Sequence, residues 1–155
     1  MSSEMSPADI EIFAQAVIEY FETMTGEKAM VRSAWLLEQQ EPVLRDDYNG
    51  LIEVSGGYSG SICFSAPARL LDFVLLASGD QQYNEVNYLD VVGEIANTLS
   101  GRARQHFGEE LSIAPPRAFK RSSAPVLRRS VTTPYAIPIT WRTIEANLVV
   151  HLCRA

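Results

Sequence analysis

The clearest pattern in this 155-residue chain is the stretch Asp90-Val-Val-Gly-Glu94-Ile-Ala-Asn97-Thr-Leu-Ser-Gly101. At about 100° per residue, Asp90, Glu94, Asn97 and Gly101 fall within a helical arc of about 60°. The opposite side is apolar, as expected for a helix that packs on a core, and consists of Val92, Ile95, Ala96, Leu99 and Ala103. The stretch therefore predicts an amphipathic helix that exposes one narrow face, the polar stripe: Asp90, Glu94, Asn97 and Gly101.

This helix is predicted from about Asn84 to Phe107, with Gly108 as its end. The glycine of the polar stripe costs about 1 kcal/mol relative to alanine inside a helix. Close approach by the backbone of another molecule is one explanation for such a residue. The stripe is therefore a candidate surface for contact with a partner.

Two further helices are predicted from local signals. In the first, Ser6 is a typical N-cap residue, Pro7 occupies the first turn, and apolar residues recur at three-four spacing until Gly26. The second spans residues 68–77, after Pro67 and before Gly79. All three helices have a face suited to a common core.

The rest of the chain has the short alternating runs of β-strands. A strand is predicted within residues 29–37, a loop over 38–50, and a hairpin from strands at 51–54 and 61–64. Later strands are predicted at 111–113, 117–121, 126–132, 135–141 and 146–153. We find no convincing internal repeat. The expected fold is α+β, a single domain over residues 1–155 with long helices packed on one face of a largely antiparallel β-sheet.

Composition limits the class of protein. The chain has no apolar run near the ~18 residues of a membrane span, and its first residues lack the features of a signal peptide. Cys63 and Cys153 each lie in an apolar alternating segment. Free buried thiols are favoured over a disulfide, so we expect a cytoplasmic protein.

The net charge of −6 conceals an asymmetry along the chain. Residues 1–100 hold 4 basic and 16 acidic residues, and residues 101–155 hold 9 and 3, so the two parts carry −12 and +6. A basic second part is compatible with nucleic acid or an acidic partner. Arginines on the solvent faces of strands are the favoured explanation, because the basic pairs form neither a helix stripe nor an aromatic platform.

Other candidate sites lack support. His106 falls on the apolar side of its helix, and no set of ligands with metal-binding spacing is found. The glycine-rich residues 55–60 lack the Gly-Lys-Ser/Thr ending of a phosphate loop and join two strands. Neither cysteine has an activating partner in the sequence. Glu94 and Asn97 remain as the one chemically suggestive pair.

The polar stripe resembles the signature of the CheX branch of the CheC/CheX/FliY chemotaxis phosphatases. That signature is an acidic or serine residue, three positions, Glu, two positions, Asn, three positions and Gly, which the stripe matches position by position. The resemblance implies a CheC-like fold over most of the chain. CheC-type members carry two such signatures, whereas the first helix here has Glu19 and Glu22 without the asparagine. The single signature is similar to CheX.

The resemblance implies a phosphatase for the aspartyl phosphate of a CheY-like response regulator. Asn97 is then expected to orient the attacking water and Glu94 to pair with the active-site lysine of the regulator. Gly93 and Gly101 are expected to allow close approach, and Asp90 to order the stripe or contact the partner.

Further implications concern cofactors and partners. The regulator is expected to bring its own Mg²⁺, with no metal or cofactor held by this chain. A homodimer through sheet edges is expected, without membrane or nucleic-acid binding. The alternative is a CheX-like module that binds a receiver domain without hydrolysing it.

Overall fold

Three helices lie on one face of an antiparallel sheet in the computed structural model, which describes residues 5–37, 44–124 and 134–154. The helices are α1 (Pro7–Thr25), α2 (Ala68–Ala77) and α3 (Glu85–Phe107), and a short 3-10 turn spans Arg121–Ser123. The strands are β1 (Met30–Val31), β2 (Trp35–Leu36), β3 (Tyr48–Gly56), β4 (Tyr58–Ala66), β5 (Leu111–Ile113), β6 (Arg117–Lys120), β7 (Tyr135–Trp141) and β8 (Ile144–Arg154). The expected α+β fold is confirmed.

The helix ends follow the predicted local signals. Ser6 caps α1 through a reciprocal pair of hydrogen bonds with Asp9, each 3.1 Å long. Gly26 ends that helix in the left-handed conformation, with φ of 81°. The bounds of α2 are those predicted, and α3 begins one residue after its N-cap Asn84.

The sheet has the order β1-β7-β8-β4-β3-β5 in the described residues, with β2 also on β7 and β6 also on β3. Each half of the chain supplies a long helix, two short strands and a long hairpin, in that order. The short strands of each half pair with the hairpin of the other half. The two halves therefore share one topology, although the sequence shows no convincing repeat. Antiparallel pairing requires only a compatible alternation of side chains and not the same residues.

The main core lies between the helices and the sheet. Phe21, Phe64 and Trp141 pack there as neighbouring rings, in a cluster that also includes the buried side of α3. A smaller apolar cluster covers the other face of the sheet around Leu51 and Cys63. Among the residues that the structure describes, no helix is long and apolar enough to span a membrane.

The predicted loop over residues 38–50 is wrong at its end, because β3 already begins at Tyr48. Asn49 is fully buried and donates a hydrogen bond from its side chain to the Asp46 carbonyl, 3.0 Å away. A Cβ at Gly50 would lie 2.3 Å from the Val92 carbonyl oxygen of α3. Gly50 is needed in the strand because α3 crosses it closely, whereas Asn49 is accommodated by its hydrogen bond to Asp46.

The remaining β predictions differ little from the structure. The segment predicted within 29–37 forms two short strands, β6 ends one residue early at Lys120, and β8 begins at Ile144. The predicted strand at 126–132 and the first part of the predicted loop, residues 38–43, lie outside the described residues. Despite these differences, α3 packs above β3 and β4. The rotation of α3 about its own axis is determined by the residues that it buries in the core.

Candidate functional site

The rotation of α3 is fixed by the residues that it buries. Val92, Ile95 and Leu99 are fully buried against the sheet, as the apolar pattern predicts. At the N-terminus, the Asn84 side chain accepts a hydrogen bond from the backbone N–H of Asn87 at 2.9 Å. The opposite face of α3, with the polar stripe, is therefore directed outward.

The polar side chains of the stripe are exposed and free. Asp90, Glu94 and Asn97 lie on the outer face of α3, and within the described ranges none of them forms a side-chain hydrogen bond or ion pair. Adjacent positions three and four residues apart on a helix have Cβ atoms about 5–6 Å apart. A carboxylate and a carboxamide therefore stand side by side with no partner in this part of the fold.

Other charged side chains of α3 are engaged by the protein itself. Near its start, Glu85 pairs with Lys120 at 3.4 Å. Near its end, Arg102 pairs with Glu19 of α1, and Arg104 donates to the Leu111 carbonyl at 3.1 Å. The two acidic residues of the stripe, Asp90 and Glu94, are the exception among these charges.

The two glycines predicted to favour a partner occupy different environments. A Cβ at Gly101 would meet no atom of the described residues within 4 Å, so among them this glycine borders open space. Gly93 is buried, and a Cβ there would lie 3.7 Å from side-chain atoms of both Pro116 and Ala118. The placement of Gly93 on a partner surface is therefore corrected, because β6 and its preceding proline already cover this side of α3.

Helix α1 borders the stripe on its other side. Burial first, and then the charge of Glu94, raise the pKa of the Tyr20 hydroxyl. The buried Tyr20 ring thus supports α3 close to the Glu94 carboxylate. Glu19 and Glu22 of α1 are exposed but paired, with Arg102 and with Lys28 respectively. No asparagine accompanies them, so α1 presents no free carboxylate–carboxamide pair.

Ion pairs within the fold account for much of the charge asymmetry along the chain. Basic residues from the second part of the chain pair with acidic residues from the first: Arg102 with Glu19, Arg117 with Glu53, Lys120 with Glu85, Arg121 with Asp47, and Arg142 with Glu27. These side chains lie at the protein surface, where each pair contributes about 0–1 kcal/mol. They join strands and helices that are distant in sequence.

The histidine and cysteine predictions have mixed outcomes. His106 is exposed instead of lying on the apolar side of α3, because the adjacent Phe107 fills the apolar position and the imidazole reaches Asp9 at 3.3 Å. Cys63 and Cys153 are buried and form no disulfide with each other, as expected. Burial raises the pKa of Cys63 to about 12, which disfavours its reactive thiolate.

The structure bears on two other classes of site, a metal site and a phosphate-binding loop. In the described part of the chain, no group of three or more His, Cys, Asp or Glu side chains is placed to hold a metal ion. The glycine-rich segment is a tight hairpin turn in which the Gly57 N–H donates to the Glu110 carbonyl at 2.8 Å. Because this N–H is already hydrogen-bonded within the protein, it is not available to a phosphate. The pairing of β3 with β4 confirms the hairpin interpretation.

Sequence reasoning missed the residues of α1 that border the stripe. Arg102 and Glu19 are 83 residues apart in sequence, and Tyr20 and Glu94 are similarly distant from each other. No periodicity links such positions, because their contact depends on how α1 and α3 pack. The sequence contains one relevant signal. The Glu19-x-x-Glu22 spacing puts two acidic residues on one face of α1, but it does not identify the basic residues that pair with them.

Comparison with known families gives one match. Residues 48–140 match the family model described as chemotaxis phosphatase CheX. This range contains the polar stripe and the strands on which α3 lies. A search of curated proteins returned no match.

Solved structures share the fold over nearly the whole chain. The crystal structure of a chemotaxis protein CheX from Desulfovibrio desulfuricans has a TM-score of 0.80 at 20% identity, covering 96% of this chain and 99% of that chain. A chemotactic CheC-like protein from Shewanella oneidensis MR-1 has a TM-score of 0.79 at 21% identity, covering 96% and 99%. The Borrelia burgdorferi complex of CheX, CheY, BeF3 and Mg²⁺ has a TM-score of 0.70 at 14% identity, covering 92% and 96%. The expected CheC-like fold is confirmed.

Proposed function

Because this chain belongs to the chemotaxis phosphatase CheX family, we propose that it hydrolyses the aspartyl phosphate of a CheY-like response regulator. The related Borrelia burgdorferi protein has been crystallised with CheY, BeF3 and Mg²⁺. By this proposal the polar stripe of α3 is the surface that meets the phosphorylated receiver domain.

The observation that carries the proposal is the free state of the stripe. Polar groups that lack internal partners are available to a second molecule without breaking bonds of the fold. Within the described residues Glu94 and Asn97 are such groups, while Glu85, Arg102 and Arg104 of the same helix are engaged internally. The free groups form one continuous patch, as a docking helix requires.

Asn97 is assigned to the attacking water. Hydrolysis of an acyl phosphate needs a water in line with the bond that breaks, and positioning supplies much of phosphoryl-transfer catalysis. A carboxamide both accepts and donates hydrogen bonds without adding charge beside the phosphoryl group. An exposed Asn97 on a rigid helix is therefore suited to hold the water when α3 meets the receiver.

Glu94 is assigned to the anchoring contact. Its carboxylate would accept a hydrogen bond from the active-site lysine of the receiver, and such charge-assisted bonds are short and directional. Because Glu94 lies one turn before Asn97, this bond would fix where the carboxamide enters the receiver site. Mg²⁺ would be held by the receiver and would neutralise charge on the phosphoryl group.

Asp90 and Gly101 are assigned to the margins of the same contact. Asp90 would contact the rim of the receiver beyond Glu94. Gly101 would let the receiver backbone approach α3 where a side chain would hold it away. Gly93 has no part in the proposal, because it is covered by β6.

Catalysis is distinguished from binding by the lifetime of the phosphorylated receiver. We expect a substoichiometric amount of this chain to shorten that lifetime over many turnovers with Mg²⁺ present. Glu94→Gln should weaken receiver binding about tenfold, because a charged hydrogen bond is lost. Binding to the receiver with an unchanged phosphoryl lifetime would instead indicate the non-catalytic module.

Dimerisation through a sheet edge remains a separate prediction. The edges in the described residues are formed by short strands, β1 and β2 on one side and β5 and β6 on the other. Unpaired backbone groups at such edges can accept a strand from a second copy. Light scattering coupled to size-exclusion chromatography would give the mass of the particle and show whether it is monomeric.

A further inference from the structure

The polar stripe is too small to be the whole receiver contact. It spans eleven residue steps, or about 17 Å of helix. A specific protein interface usually covers about 800 Å² on each partner, contributed by 20–30 residues. A receiver docked on Asn97 must therefore also cover surface beside the stripe.

The structure favours the α1 side for this additional surface. On the other side, Pro116 and Ala118 already pack against α3 at Gly93. On the α1 side, an open groove of about 470 Å³ runs between α1 and α3 and is lined in part by Gln15, Glu19, Arg102 and Gln105. The groove begins immediately after Gly101, whose own position borders open space.

Arg102, which lines this groove, has guanidinium N–H groups that are not hydrogen-bonded within the described residues. The ion pair with Glu19 involves one guanidinium nitrogen of Arg102, Nη1, and the two side chains are 33% and 49% exposed. A guanidinium has five N–H donors, and the remaining ones have no acceptor among the described residues. Arg102 is also the first basic residue after Asn97 along α3. It can therefore bind a second carboxylate next to the stripe.

We propose that the phosphorylated receiver extends from Asn97 across Gly101 into the α1–α3 groove, where an acidic side chain of the receiver binds Arg102. Glu19 competes for the same guanidinium in the free protein. This contact sets affinity for the receiver, and hence selection among receivers, without entering the chemical step. The inference rests on the proposed function, because it assumes that a receiver docks on the stripe.

The two halves of the ion pair provide the test. We expect Arg102→Gln to weaken binding of a CheY-like receiver charged with beryllofluoride and Mg²⁺ by about tenfold, with kcat retained at saturation and KM raised. Glu19→Gln removes the internal competitor, so its dissociation constant should be equal to or lower than that of the unchanged protein. A pair that only joins α1 to α3 would give the same effect from both substitutions.

A matched control is the ion pair of Arg117 and Glu53, which lies on the sheet face opposite the helices at 3.3 Å. Arg117→Gln should leave receiver affinity unchanged. Equal affinities for Arg102→Gln and the unchanged protein, or equal losses from Arg102→Gln and Glu19→Gln, overturn the inference. Titration with the beryllofluoride-charged receiver reports docking without hydrolysis, so its outcome is independent of whether Asn97 is catalytic.

Discussion

Asn97 and Gly101 lie one turn apart on the outer face of α3, and neither is used by the described part of the fold. The Asn97 side chain has no hydrogen bond there, and nothing lies within 4 Å of where a Gly101 side chain would begin. A helix interior disfavours both residue types relative to alanine. Stability does not account for their presence, whereas the proposed contact with a receiver would.

Gly101→Ala should separate the effect of this position on stability from its effect on receiver binding. We expect the free energy of unfolding to rise by about 1 kcal/mol, because alanine is the better helix former, which corresponds to roughly 2–4 °C in Tm. The added methyl group should at the same time weaken binding of the beryllofluoride-charged receiver. Thermal unfolding and a binding titration measure the two effects.

Gly93→Ala is the matched control on the same helix. A methyl group fits there at 3.7 Å from Pro116 and Ala118, so the gain in helix propensity should be similar. Because this position is covered by the protein itself, receiver affinity should not change. Equal weakening of binding by both substitutions would argue against a specific role for Gly101.

Gly50→Ala should displace α3, and with it the polar stripe, from the sheet on which it packs. Its Cβ would lie 2.3 Å from the Val92 carbonyl oxygen and 3.0 Å from the Ala96 side chain. Such overpacking forces α3 away from β3 and costs about 3 kcal/mol. We expect a lower denaturation midpoint in urea, with reduced receiver turnover by the protein that remains folded. A midpoint equal to that of the unchanged protein would show that α3 accommodates the methyl group without strain.

His151 should make stability depend on pH. Burial lowers the pKa of His151 from its ordinary value of 6.5, so below that pH the unfolded chain binds the proton more readily than the fold. The free energy of unfolding therefore falls as the pH drops through this range. His151→Gln should reduce the decrease in Tm between about pH 7.5 and pH 5. An identical decrease in both proteins would assign the pH dependence to other groups.

The features predicted correctly from the sequence are those determined by near neighbours. Ser6, Pro7 and Gly26 act within one turn of α1, so its ends could be predicted without knowledge of the fold. The same holds for the polar stripe, because the apolar residues of α3 have to face the core. The outward direction of Asn97 follows from that requirement alone.

The features that were missed depend on contacts between distant segments. Asn49 and Gly50 have the composition of a turn, but β3 includes both. The place of Gly50 is explained by the packing of α3 above it, and that of Asn49 by the hydrogen bond of its buried side chain to the Asp46 carbonyl. Gly93 was assigned to a partner because helical spacing does not show that β6 covers it. The pairing of Arg102 with Glu19 likewise depends on the packing of α1 beside α3.

The most direct measurement is multiple-turnover phosphate release from an acetyl-phosphate-charged CheY-like receiver with Mg²⁺, comparing the unchanged protein, Asn97→Ala and Arg117→Gln. Arg117 lies on the sheet face opposite the helices, so its substitution should leave turnover unchanged. The account predicts a loss of about 100-fold in kcat for Asn97→Ala, with Tm retained or slightly raised because alanine favours the helix. Turnover by Asn97→Ala at the rate of the unchanged protein would contradict the assignment of the catalytic surface to α3.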